Sequence, residues 1–247
     1  MNTLFVGHNL IVLESIPSTN DFCMKLVLEK QLPDGTVVWA KEQTAGRGQW
    51  GKSWKSSLGE GLTFSVLLHP KTDLRYQFSF NKAIAVGLCE GLKNMGVNAE
   101  IKWPNDIYVG HHKLLGVLIE NNLRGAQLQH SVVGVGVNVN QLQFDEALPN
   151  PVSLRQLLGK KLDMDVVLAD LCYAIERRYL QFKAGHFSKI NTDYHQLLYR
   201  KGEQHQFLID GKSTRGQIEG VDELGKIKLL TPDGVAVYAM GEVEFVI

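Results

Sequence analysis

No sign of charge dominates this chain: across 247 residues, 26 Lys and Arg stand against 26 Asp and Glu. A neutral balance supplies no field that would draw in a polyanion, which argues against a general nucleic-acid binder or a protein held on an acidic membrane. Long hydrophobic runs are missing as well. Nothing reaches the roughly 18 apolar residues that a bilayer-spanning helix requires. Met1 to Ser15 lacks the basic start and the apolar core of roughly seven or more residues that mark an export signal. The expectation is a cytoplasmic protein without a membrane partner. Cysteine is scarce, with Cys23, Cys89 and Cys172 alone. Their odd number, wide separation and apolar neighbours point to reduced core thiols rather than disulfides. Metal-ligand spacing is lacking too. His111-His112 has no second pair at zinc-like distance and runs straight into Lys113, so it reads as a hairpin tip, and no metal is assigned to protein side chains.

What is present is an ordinary core-forming composition, 44% hydrophobic, enough for one large domain and a small appendage. Asn9 to Glu14 reads as a strand, and Ser18-Thr19-Asn20 offers capping oxygens before a helix from Asp21 to Lys30. Strand character follows at Thr36–Lys41 and Leu62–Leu68, with a Gly-rich polar loop, Thr44–Gly59, between them. Ile84, Leu88, Leu92 and Met95 repeat at helical spacing up to a C-capping Gly96. Strands then follow at Glu100–Trp103, Ile107–Val109, Leu114–Glu120 and His130–Asn138, and helices at Val166–Phe182 and Ser188–Tyr199. The fold class expected is α/β (α+β): a mixed β-sheet with flanking helices over residues 1–200. From 201 to 247, short strands separated by Gly211, Gly220, Gly225 and Asp233-Gly234 suggest a small β-barrel too slight to stand without docking. That tail carries five basic residues against eight acidic ones, which disfavours nucleic acid as its ligand. Strand residues around Leu128 to Val137 are expected at a sheet edge, where they could pair in a homodimer.

Chemistry concentrates in the segment Lys41-Glu-Gln-Thr-Ala-Gly-Arg-Gly-Gln-Trp-Gly-Lys-Ser-Trp-Lys55. Gly46, Gly48 and Gly51 permit close backbone approach, Arg47 and Lys52 supply positive charge, and Trp50 or Trp54 could cover an apolar ring or an adenine. Such a loop can wrap a phosphate, although it is not a P-loop, since no G-x-x-x-x-G-K-[ST] occurs. Alone it is equally well a surface turn. Lys102-Trp-Pro-Asn-Asp106 places an amide and a carboxylate at a strand end. Lys113-Leu-Leu-Gly-Val-Leu-Ile-Glu120 sets a lysine at the mouth of an apolar strand, and Gly134-Val-Gly-Val-Asn138 ends a buried strand on an amide. Each has a bland alternative, Lys113 as a solvated edge lysine and Asp106 as a turn former.

Taken together and in this order, with Ser18-Thr19-Asn20 before them, the motifs resemble the biotin protein ligase family over nearly the whole chain. The resemblance implies an α/β catalytic domain followed by an SH3-like barrel. It also implies biotin and ATP with Mg²⁺ as ligands, and a biotin carboxyl carrier protein or domain as acceptor. Carried over by motif, Ser18, Thr19, Asn20, Gln43, Gly46, Arg47, Gly48, Lys113 and Gly116 would line the biotin side. Arg47, Gln49, Trp50, Lys52, Trp54, Asn105, Asp106 and Asn138 would line the nucleotide side, with Lys113, Arg47 and Asp106 in the chemistry. With 17 residues before Ser18, no DNA-binding domain is expected. The loop departs from the family pattern by placing Gln49, Trp50 and Lys52 where arginines are usual, which implies a weaker charge clamp on the adenylate. Two other readings compete: a lipoate or octanoate ligase of the related fold, and a non-catalytic biotin-sensing module. Against the first, no Arg-Arg-x-Ser-Gly-Gly-Gly loop occurs. Retention of Lys113 and Asp106 weighs against the second.

Overall fold

From its amino end the chain runs β1 (Leu10–Ile16), α1 (Thr19–Glu29), β2 (Val37–Gln43), β3 (Gly61–Leu68), β4 (Thr72–Asp73) and α2 (Gln77–Asn94). Four strands follow, β5 (Glu100–Lys102), β6 (Asp106–Val109), β7 (His112–Arg124) and β8 (Gln127–Asn138), then α3 (Leu154–Leu158), α4 (Met164–Lys183) and α5 (Phe187–Gln196). The last part is all strand: β9 (Gln204–Ile209), β10 (Lys212–Val221), β11 (Ile227–Thr231), β12 (Gly234–Tyr238) and β13 (Val243–Phe245). The computed structural model describes residues 1–29, 31–55 and 58–246, the side chain of Trp50 excepted, so the expected helix end at Lys30 lies outside the described residues.

Two sheets result. The larger runs β1-β2-β3-β8-β7-β6-β5, with β4 on the end of β8; β1 and β2 are parallel, joined by the crossover helix α1, and the other pairs are antiparallel. The mixed α/β architecture is thus as the sequence predicts. The edge position expected for Leu128 to Val137 is not: β8 is hydrogen-bonded to β3 on one side and β7 on the other. Its near-continuous valine run is the signature of a strand buried among neighbours, and both its ladder sides are already used. Helix α2 ends as Gly96 predicts, with φ +91° and the amides of Gly96 and Val97 returning to the carbonyls of Lys93 and Leu92, each at 2.9 Å. Leu197–Tyr199, expected to extend α5, instead runs along β5, where Ile101 N–H donates to Leu197 O at 2.7 Å and Tyr199 N–H to Ile101 O at 3.0 Å. The chain reverses at Gly110-His111 as expected for a hairpin tip.

Alternation along the strands sorts the two faces. Leu62, Phe64 and Val66 of β3, Val133, Val135 and Val137 of β8 and Leu115 and Val117 of β7 share one core with Ile84, Leu88 and Leu92 of α2 and Leu168, Leu171 and Ile175 of α4. A smaller cluster, Cys23, Val38, Leu67 and Val132, seats α1 on the opposite face. The second sheet, antiparallel in the order β12-β11-β10-β9-β13, contributes Phe207, Ile218, Val221, Ile227, Leu229 and Val243 to the larger core. All three cysteines are buried and free. Burial pushes the Cys23 and Cys172 thiols up to about 12 and raises Cys89 as well. No described helix is long and apolar enough to cross a membrane.

Candidate active site

The face away from α2 and α4 is floored by residues with little or no side chain. Thr63 and Ser65 of β3, Gly134 and Gly136 of β8 and Gly116 of β7 all alternate with core residues and so point to the other side. Register aligns Thr63, Gly136 and Gly116 in one row across three strands, and Ser65, Gly134 and Leu118 in the next. The result is a trough. Trp54 lies in it: a Cβ on Gly136 would stand 2.3 Å from Trp54 Cε2, and one on Gly116 3.1 Å from Cζ3. The indole Nε1 is buried there, with no hydrogen-bond partner among the described residues. A Cβ on Gly134 would stand 2.3 Å from Asn20 Oδ1.

One end of the trough is lined by hydroxyls and amides. Ser18 caps α1, its Oγ accepting from Asp21 N–H at 3.3 Å. Thr19 donates to Gln43 Oε1 twice, from its amide at 2.7 Å and its hydroxyl at 3.0 Å. Ser65 Oγ sits 2.7 Å from Thr19 Oγ1 and 2.6 Å from Asn20 Oδ1, and its single proton serves one of them at a time. Asn20 Nδ2 donates to Glu120 Oε2 at 2.8 Å and Leu118 O at 3.2 Å. Arg47 meets this cluster from the loop, donating to Glu120 Oε1 at 3.0 Å and pairing closely with Asp21.

The other end is charged. Lys113 Nζ donates to Asp106 Oδ2 at 2.7 Å, each side chain about a third exposed, and lies 5.9 Å from the Trp54 ring centroid. Asn105 donates from Nδ2 to Val117 O at 3.4 Å, while its buried Oδ1 has no partner among the described residues. Asn138 ties the backbone together, donating to Val152 O at 3.1 Å and Lys113 O at 3.4 Å. Burial lowers the Lys102 ammonium pKa; Asp106 opposes that shift, and Lys113, Lys52 and Arg200 add to it. The Trp103–Pro104 peptide is cis.

Between the two ends the glycine loop folds back on itself. Trp54 N–H donates to Gly46 O at 2.8 Å, Gly48 N–H to Lys52 O at 2.6 Å, and Gln49–Gly51 makes a 3₁₀ turn at the tip. Gln49 stands in this turn, Lys52 follows it and is near enough to the charged end to act on the Lys102 ammonium, and the side chain of Trp50 lies outside the described residues. Of the other candidates, Ser18, Thr19, Asn20, Gln43 and Arg47 meet at one end and Lys113, Asp106, Asn105 and Asn138 at the other, with Trp54 over Gly116 between them and Gly46 and Gly48 in the loop that carries Trp54. Sequence reasoning passed over Asp21 and Ser65, and it quoted Glu120, Gly134 and Gly136 within motifs without giving them a place in the site. The glycines left a signal, small residues at alternate positions in a valine strand. Ser65 and Glu120 left none, since register alone delivers them.

Residues 12–138 match the Biotin/lipoate A/B protein ligase family. The chain belongs to this family. A family relative from Paracoccus denitrificans, Biotin--[acetyl-CoA-carboxylase] ligase, is 30% identical over 235 residues, 92% of this chain and 97% of its own. Bifunctional ligase/repressor BirA of Bacillus spizizenii is 29% identical over 248 residues, 99% of this chain and 76% of its own length. Among solved structures, biotin protein ligase from Aquifex aeolicus in complex with biotin and ATP has a TM-score of 0.80 at 29% identity, covering 97% of this chain and 99% of that one.

Proposed function

We propose that the protein is an ATP-dependent biotin protein ligase, with residues 1–200 as catalytic domain and 201–247 as a small barrel. The observation that carries this reading is the two-ended trough: a buried cluster of hydroxyls and amides at one end, an ammonium–carboxylate pair at the other, and an indole between. Biotin carries a ureido ring with two N–H donors and a carbonyl acceptor at one end and a carboxylate at the other. Thr19, Asn20, Gln43 and Ser65 supply complementary donors and acceptors, and Lys113 a cation for the carboxylate. A dithiolane ring offers no such polar match and would leave those groups desolvated, which disfavours lipoate.

In the first step a carboxylate oxygen attacks the α-phosphorus of ATP and pyrophosphate leaves, giving biotinyl-AMP. Lys113 and Arg47 offset the like charges that this step brings together. Arg47 pairs with Asp21 and Glu120, so to reach the phosphate it would exchange those partners. Mg²⁺ would further neutralise the phosphates. Such an ion would be held mainly by phosphate oxygens and water, with Asp106 as the nearby carboxylate. Trp54 and the Gly46–Gly48 turn would cover the anhydride and exclude water. In the second step the amine of an acceptor lysine attacks the acyl carbon, AMP leaves, and an amide forms. Deprotonating that ammonium at pH 7 costs roughly 4–5 kcal/mol from a pKa near 10.4. Asp106 helps by orientation and field rather than as a strong base. Such a reaction belongs in the cytoplasm, with the carrier domain of a biotin-dependent carboxylase as acceptor.

The test is purified protein with ATP, Mg²⁺, biotin and a carrier domain, read by avidin blot, with lipoate and its own carrier in parallel. Labelling by biotin alone is expected. Attachment of lipoate would replace this reading by the rival ligase, and adenylate formation without transfer by a sensing module.

A further inference from the structure

The Lys102–Asp106 turn meets the second sheet through two neighbouring side chains. Trp103 is 3% exposed, and its indole N–H donates to Gly225 O at 2.9 Å in the β10–β11 hairpin. Lys102 places its ammonium 4.7 Å from the ring centroid of Phe245 on β13 and 5.2 Å from that of Tyr108. The hairpin that receives Trp103 is itself fixed. Asp222 accepts from the amides of Leu224 and Lys226 at 2.9 and 2.8 Å, and Gly225, at φ +89°, lies so close to Phe78 that a Cβ would stand 2.5 Å from its ring. From α2, the buried Lys82 ammonium donates to Asn191 Oδ1 at 2.7 Å, Asp222 O at 3.2 Å and Val221 O at 3.4 Å. From α5, His195 Nε2 accepts Val221 N–H at 3.0 Å. Hydrophobic docking alone requires none of these directed contacts, least of all the buried bonds of the Trp103 indole and the Lys82 ammonium, and their geometry ends three residues from the carboxylate that holds Lys113.

We propose that the second sheet is a clamp on the Lys102–Asp106 turn, with Trp103 and Phe245 as positioning residues that set Asp106, and through it Lys113, for adenylate formation. The clamp rests on the ligase reading for its chemistry, though not for its mechanics. In this arrangement the barrel acts by fixing a distance.

The test uses the full chain with Trp103→Phe, which keeps an aromatic ring and loses the N–H, and Phe245→Leu, which keeps bulk and loses the π face. In both, amide exchange at Ile101–Tyr108 should quicken about tenfold while α1 and α4 keep their protection. The kcat for biotin-dependent pyrophosphate release should fall about tenfold. Combining either change with Asp106→Asn should cost no more than Asp106→Asn alone, because both act through one carboxylate. A merely structural role would give uniform loss of protection and additive losses of rate. Either result, or unchanged exchange at the turn, overturns the clamp. A wild-type chain that releases no pyrophosphate with biotin would remove the ligase reading by itself, leaving the exchange comparison to decide the clamp.

Discussion

Lys113 is the residue on which the proposed chemistry turns, and its surroundings separate its role from stability. Its ammonium and the Asp106 carboxylate are each about a third exposed, so their pairing is screened by water and adds little to folding. Lys113→Ala should therefore lose biotin-dependent pyrophosphate release by about a hundredfold or more while the melting temperature barely moves. Normal release would remove Lys113 from the mechanism. Asp106→Asn should slow at least one half-reaction, and wild-type rates in both would contradict its assignment. Gly136 makes a third case. Its missing Cβ is the space that Trp54 occupies, so Gly136→Ala forces the indole off the trough floor. Biotin affinity measured by calorimetry should weaken about tenfold, roughly 1.4 kcal/mol, and unchanged affinity would mean that the trough is not where biotin lies.

At the level of elements, periodicity carried the reading far and then failed for definable reasons. The long helices α2 and α4 and the strands β3, β7 and β8 were legible because apolar residues recur at 3.6 or 2 positions over many residues. The five-residue α3 is too short to show a period, and its capping box at Ser153 and Gln156 went unread. The edge position expected for β8 was wrong because a valine run says that a strand is buried, not which strands flank it. For the candidate site, the motif resemblance named Thr19, Asn20, Gln43, Asp106 and Lys113, which the fold gathers along one trough. Glu120 escaped, since its meeting with Asn20 and Arg47 joins three elements far apart in sequence. Helix α5 also yields a pH dependence. His195 contacts Asn191 O through Nδ1 and Val221 N–H through Nε2, a pair of bonds open only to the neutral ring. Burial lowers its pKa from 6.5, with Lys82 and Lys201 acting in the same direction and the Asn191 carbonyl opposing. A folded pKa below the unfolded one means that the stabilisation is complete above 6.5 and declines as pH falls through the folded value. Melting temperatures measured between about pH 5 and 7 should therefore fall with acidity, and His195→Gln should flatten the slope; an equally steep slope in that variant would place the titration elsewhere.

For the molecule as a whole, the decisive fact is that both sheets feed one core: Phe207, Ile218 and Val243 of the second sheet belong to the same cluster as Leu88 and Leu171 of the helical layer. The two parts should consequently melt together, in a single calorimetric transition whose van't Hoff and calorimetric enthalpies agree. Two resolved transitions would show that the barrel folds and unfolds on its own. The three buried thiols add a way of watching such events. Cys23 lies on the α1 side of the large sheet, and Cys89 and Cys172 on the α2–α4 side, each with its thiol pKa raised far above neutrality. At neutral pH a maleimide finds almost no thiolate until a layer parts, so the order in which the three sites take up label is a record of which face of the sheet comes away first.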